Sequence, residues 1–187
     1  MADYTIAVIP GDGIGREVRA LDAVAAPAGL HFAWQTFDWS CESFLVTGLM
    51  MPEDGLDQLG SFDAIFLGAV GFPGVAYHIS LWGLLIPIGR AFQQYMNLRP
   101  VRLLPGVTSP LAGRGPEDID FLIVVENNEG EYSEIGGRMK RGTDAEMAVQ
   151  ESVFTRRGGD RIVRYAFELV QTRDPKHLTS ATKSNGI

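Results

Sequence analysis

The densest group of chemistry-capable residues is Glu126-Asn127-Asn128-Glu129-Gly130-Glu131-Tyr132, which follows the apolar run Asp120–Val125. Three carboxylates this close can attract a divalent cation, and a tyrosine beside them can give a proton if a nearby cation depresses its pKa. Taken alone, the run reads more simply as a solvated hairpin. Arg99 and Arg102 flank Pro100. Proline pushes the residue before it into an extended conformation, and a guanidinium held that way can clamp a carboxylate through two parallel hydrogen bonds. A surface arginine beside a turn is the plainer alternative. Lys183 stands at the end of the last predicted strand, where burial could tune a lysine for proton transfer; an ordinary surface lysine has the same sequence. Gly11-Asp12-Gly13-Ile14-Gly15 lies between a strand-like and a helix-like segment. Its glycines permit a tight turn and close approach of the backbone to a ligand. Position 16 is Arg, so the dinucleotide fingerprint is absent, and Asp38 is left without the context of a ribose-binding acid. His31, His78 and His177 are scattered with no metal spacing. No G-x-S-x-G nucleophile turn occurs.

These groups need a scaffold. Thr5–Ile9 is a β-branched apolar run and predicts a buried strand before the glycine turn. A helix over about 16–26 follows, stopped by Pro27. His31–Asp38 predicts a second strand, Pro52 marks a helix start within Met51–Leu59, and Phe62–Leu67 predicts a third strand before the loop Gly68–Gly71. Leu84–Tyr95 predicts a helix, Asp120–Val125 a buried strand, Glu126–Gly137 a polar loop or hairpin, and Met147–Phe154 a strand. Gly159–Gln171 has the clearest amphipathic helical spacing, and His177–Ala181 predicts a last strand. Alternating strands and helices argue for an α/β fold with a largely parallel sheet. The strand edge at Thr182–Asn185 is where such folds place active-site groups.

The chain has 187 residues and a formal charge of −7, a balance opposed to the basic stripe of a nucleic-acid binder. No apolar run reaches the ~18 residues of a membrane span. One cysteine, Cys41, rules out an internal disulfide framework. With no basic, apolar leader at the start, the expectation is a cytoplasmic protein with neither nucleic-acid nor membrane partners.

Read together, IPGDGIG (Ile9–Gly15), FDAIFLGAVG (Phe62–Gly71), NLRPVRLLPGV (Asn97–Val107), ENNEGEYSEIGGR (Glu126–Arg138) and ATKSNG (Ala181–Gly186) resemble the isocitrate/isopropylmalate dehydrogenase family in type and order. FDWSCE, TGLMMPEDGL, HISLWG and AVQESVFTRRG look like its tartrate/D-malate dehydrogenase branch. The resemblance implies a two-domain α/β fold, distinct from a standard Rossmann fold, with residues 1–98 in the terminal domain and 99–187 in the central, dimerising one. It implies oxidation of a small 2-hydroxy acid by hydride transfer to NAD, then decarboxylation on magnesium or manganese, in a homodimer. By the same resemblance, Arg99 binds a substrate carboxylate, Tyr132 protonates the enol product, and Lys183 takes the hydroxyl proton across the dimer interface. Asn185 lies near substrate and nicotinamide, while Ile14 and Gly68, Ala69, Val70 and Gly71 line the nicotinamide side.

The departures from the family pattern are specific. Members of the family are longer, which implies that the metal-binding aspartates and the adenine-binding loop lie beyond Ile187, with no metal ligands in this chain. Gly89 and Val125 stand where the family carries substrate arginines, although Arg90 is next to Gly89 and could stand in for one. Tyr77 occupies a position where an aspartate is expected. Losing two charge-assisted clamps at roughly 1.5–3 kcal/mol each would weaken substrate binding severely. The expectation is therefore a truncated chain that is inactive alone. The alternative is a non-catalytic remnant retaining a dimerisation surface.

Overall fold

A computed structural model describes residues 2–12 and 19–182. The fold is α/β, in two compact units, 1–92 and 93–187.

In the first unit, β1 (Ala2–Ile9) is the centre of a three-stranded parallel sheet, ordered β2-β1-β3 with β2 (Leu30–Thr36) and β3 (Ala64–Leu67). Its apolar run is buried at Ile6–Ile9, as expected for a strand flanked on both sides. Around it lie α1 (Arg19–Ala25), α2 (Cys41–Thr47) and α3 (Gly55–Leu59). Ala7, Ile9, Trp39, Cys41, Leu59 and Leu84 form the heart of the core.

The sequence reading missed α2. Its signals are local: the Ser40 hydroxyl accepts from Ser43 N at 3.0 Å, and Gly48 ends the helix in the left-handed region at φ 79°. The helix expected over Leu84–Tyr95 begins earlier and stops sooner. It starts at α4 (Tyr77–Ser80), widens through a π turn at Leu81–Leu85, and continues as α5 (Ile86–Ala91). Ala76 offers no side-chain cap, so the start carries no sequence signal. The wide turn precedes Pro87, whose ring and missing N–H oppose a regular α-helical ladder.

In the second unit, β4 (Met96–Arg102) pairs antiparallel with β5 (Asp120–Glu126), and β6 (Gly136–Met139) with β7 (Met147–Gln150). α6 (Arg156–Gln171) packs on β5, leaving Phe121 and Ile123 on the opposite, exposed face. The largely parallel sheet therefore holds for the first unit only, and β5 is half exposed rather than buried. His177–Ala181 forms no strand, because no described strand pairs with it. Met147–Phe154 shortens to β7 and a single bridge between Val153 and Gly130. Among the described residues no helix is long and apolar enough to cross a membrane.

Candidate functional site

In the first unit, the turn after β1 and the loop after β3 are drawn together by one glycine and one carboxylate. Gly11 has φ 68°, and a Cβ there would stand 2.2 Å from the Ala69 carbonyl oxygen. Only glycine allows that approach, which lets Asp12 N donate to Ala69 O at 2.7 Å. The Asp12 side chain then spans two segments. Oδ1 accepts from Cys41 N at 2.9 Å and Glu42 N at 3.2 Å, in the first turn of α2. Oδ2 accepts from Gly71 N at 2.8 Å. Burial opposes the charge, but the hydrogen bonds from Gly71, Cys41 and Glu42 outweigh it and hold the carboxyl below its ordinary value.

Asp12 thus takes up three backbone N–H groups, those of Cys41, Glu42 and Gly71, and places a negative charge between the turn and the loop. In the loop Gly68–Gly71, Ala69 and Gly71 are exposed.

Cys41 lies in the same junction and is 1% exposed. Burial, then its hydrogen bond to Asp12 and that group's charge, push the thiol up to about 11. At pH 8 the native chain should react with a disulfide reagent only at the rate of its opening, and release one thiol equivalent once denatured. A fast native reaction would mean the junction is open.

In the second unit, register places Arg99 opposite Ile123 and Asn97 opposite Val125. Side chains of directly paired residues share a face, so Arg99 and Val125 lie diagonally on the face that α6 does not cover. Arg99 is exposed, with Nε donating to Asn97 Oδ1 at 3.4 Å. Tyr132 sits half-buried in a single 3-10 turn, Glu131–Ser133.

The carboxylates before Tyr132 have structural duties. Glu126 Oε2 accepts from Asn128 N and Glu129 N at 3.0 and 2.8 Å, while Oε1 pairs with Arg161 Nη2 at 2.9 Å. Arg161 also lies over the Tyr95 ring at 4.8 Å. Glu129 accepts from Thr155 N at 2.8 Å and Thr155 Oγ1 at 2.6 Å, and these bonds lower its pKa. Thr155 caps α6, donating through Oγ1 to Glu129 and accepting from Gly158 N at 3.0 Å. The loop leading to Tyr132 is thus tied to the start of α6. A Cβ at Gly158 would come within 2.2 Å of the Glu129 carboxylate. Gly158→Ala should therefore destabilise the second unit by about 1–3 kcal/mol, read as a lower urea midpoint by far-ultraviolet circular dichroism; an unchanged midpoint would show that Glu129 yields freely.

Arg90 is exposed in the first unit, its guanidinium carbon 5.3 Å from the Trp82 ring centroid, whereas Gly89 beside it is buried. The two positions therefore face different surroundings. Ile14, Lys183 and Asn185 lie outside the described residues. Among the described residues no group of three histidine, cysteine or acidic side chains could hold a metal ion. What the sequence reading missed is Asp12, passed over as part of a glycine turn. Its signal was a lone carboxylate between two glycines, in a turn that must find partners for neighbouring N–H groups.

The model of the isocitrate/isopropylmalate dehydrogenase family matches residues 5–187. The D-malate dehydrogenase [decarboxylating] of Escherichia coli (strain K12) is 58% identical over 194 residues, covering 100% of this chain and 54% of that protein. The tartrate dehydrogenase/decarboxylase of Pseudomonas putida is 54% identical over 191 residues, covering 98% and 52%. The chain thus spans about half the length of the curated relatives it matches. Among solved structures, isocitrate dehydrogenase from Methylococcus capsulatus superposes with a TM-score of 0.70 at 28% identity, covering 90% of this chain and 48% of that one. A beta-decarboxylating dehydrogenase from Thermococcus kodakarensis gives 0.57 at 31% identity, covering 90% and 46%.

Proposed function

We propose, because the chain belongs to the isocitrate/isopropylmalate dehydrogenase family, that it forms part of an NAD- and divalent-metal-dependent oxidative decarboxylase acting on a small 2-hydroxy acid such as D-malate or tartrate. The observation that carries this is its 58% identity, across the whole chain, to a decarboxylating D-malate dehydrogenase. The open face of β4 and β5 supports it, because an exposed arginine in an extended strand suits a small carboxylate.

The chain's own residues would divide the work as follows. Arg99 binds and orients a substrate carboxylate. Lys183 takes the proton of the 2-hydroxyl, and the Tyr132 hydroxyl returns a proton to the enol left by decarboxylation. The loop Gly68–Gly71 and Ile14 would bound the nicotinamide side. Bound NAD would supply the hydride acceptor for oxidation at the carbinol carbon. The described residues do not provide a ligand set for the metal. Residues 1–98 belong to the terminal domain in this reading and 99–187 to the central one, in a cytoplasmic homodimer.

The test is NADH formation from D-malate and tartrate with Mn²⁺, by this chain and by a chain extended to the relatives' length. The 187-residue chain should give no measurable rate and the extended chain a clear one. Arg99→Met in the extended chain should raise the hydroxy-acid KM about 10- to 100-fold, with the NAD KM unchanged. An extended chain inactive with either acid would overturn the assignment.

A second reading, a non-catalytic remnant that keeps a dimerisation surface, is favoured by two observations. Val125 stands beside Arg99 in place of a second cation, and the β6–β7 hairpin exposes Met139, Met147 and Val149. Pairing with a longer relative, without NADH formation by either chain length, would support it.

A further inference from the structure

We infer that Asp12 is a positioning residue: its two carboxylate oxygens fix the Gly68–Gly71 loop against the start of α2, and through that loop set how the cofactor's nicotinamide end is received. The role for the loop rests on the function proposed above. The tie itself rests only on geometry.

The geometry requires a carboxylate. Oδ1 accepts from Cys41 N and Glu42 N, and Oδ2 from Gly71 N. A carboxylate accepts on both oxygens, whereas an amide accepts on one and donates from the other. Asp12→Asn can keep the bonds to α2 by turning its oxygen toward Cys41 and Glu42. Its amide nitrogen then faces the Gly71 N–H, donor against donor, and that bond is lost. The substitution therefore separates two roles that deleting the side chain would confuse. It releases the loop while leaving α2 capped and the core packing of Ile9, Cys41 and Leu59 intact.

The loop has few other ties. Gly68 N donates to Ile9 O at 2.8 Å, and Ala69 O accepts from Asp12 N at 2.7 Å. Val70 packs against the core. Gly71, at the far end, is exposed and held by Asp12. The neighbouring Phe72 backbone is hydrogen-bonded to Cys41, so losing the Asp12 bond frees the Gly71 N–H locally while Phe72 stays tied.

Two measurements test this. In the 187-residue chain, amide hydrogen exchange of Asp12→Asn should accelerate at Gly71 by about 10- to 100-fold while Cys41 and Glu42 stay within about threefold. Equal acceleration at all three, or none at Gly71, would overturn the tie. Should the variant fail to fold, the unsubstituted chain serves. The amide resonances of Cys41, Glu42 and Gly71 should shift along one titration curve, below the ordinary carboxylate range, as Asp12 takes a proton. Cys41, the titratable side chain hydrogen-bonded to it, stays protonated throughout that range. A Gly71 resonance that does not follow the other two overturns the tie.

The cofactor role is read in the chain extended to the relatives' length. Asp12→Asn should raise the NAD KM about tenfold, with kcat and the hydroxy-acid KM within about twofold. An equal fall in kcat with no change in NAD KM would refute the positioning role. Inactivity of the unsubstituted extended chain would count against the proposed function alone, with the exchange result standing independently.

Discussion

Gly11→Ala is expected to destabilise the first unit by about 2–5 kcal/mol, combining the left-handed backbone cost with overpacking against a backbone atom. The added methyl would stand 2.2 Å from the Ala69 carbonyl oxygen, and φ at this position is +68°. Neither conflict is relieved by a side-chain rotation, because the obstacle is main chain. The readout is convenient. All three tryptophans, Trp34, Trp39 and Trp82, lie in the first unit, so their fluorescence during urea unfolding follows that unit alone. A midpoint within error of the parent would show that the turn and the loop after β3 are not in contact.

The second large effect is a gain. Val125→Arg, in a chain of the relatives' length, is expected to lower the KM for D-malate or tartrate about 10- to 100-fold, the range of one charge-assisted hydrogen bond or clamp. Position 125 pairs with Asn97 and shares its sheet face with Arg99. Two guanidiniums there could grip a dicarboxylate from adjacent strands. Val125 is only half-buried on an uncovered face, so the longer side chain meets no packed core. Kinetics on the paired variants decide the issue. No improvement, or improvement that survives Arg99→Met, would mean that the face does not bind the substrate. The remnant reading expects no NADH formation from either form.

Acid should act on the first unit through Asp12 and through Asp63, whose carboxyl is lowered by its hydrogen bonds from Thr5. Each pKa is lowered on folding, so each contribution is complete above the unfolded value of 3.8 and is lost as pH falls through the folded one. Tryptophan fluorescence should therefore show a falling urea midpoint for the first unit below about pH 4, and Asp12→Asn should partly flatten that dependence. An unflattened curve would assign the acid sensitivity elsewhere.

The strands around the glycine turn were legible because burial imposes its pattern directly. Ile6–Ile9 is continuous apolar chain and occupies the sheet centre. Helix α2 was missed because seven residues give too little periodicity, and its evidence lay in single capping residues, Ser40 and Gly48. The last strand was over-read, since His177–Ala181 has the composition of a strand, but a strand exists only with a neighbour to pair with. Site residues followed the same rule. The extended backbone at Arg99 was readable beside Pro100, because proline acts on its immediate neighbour. The duties of Glu126 and Glu129 were not, because their partners Arg161 and Thr155 are 35 and 26 residues away. A run of acids looks alike whether it waits for a cation or anchors a helix; the partners decide.

The buried thiol at Cys41 should make the native chain slow to react with a maleimide, although it contains a cysteine. A fluorophore can then be attached at one cysteine introduced on either unit, with no need to remove the natural one and disturb the junction with Asp12. Donor and acceptor dyes placed in turn at exposed positions such as Val46 and Phe154, one in each unit, would report the spacing of the two units in solution. Adding NAD or a hydroxy acid would then show whether that spacing shortens on binding.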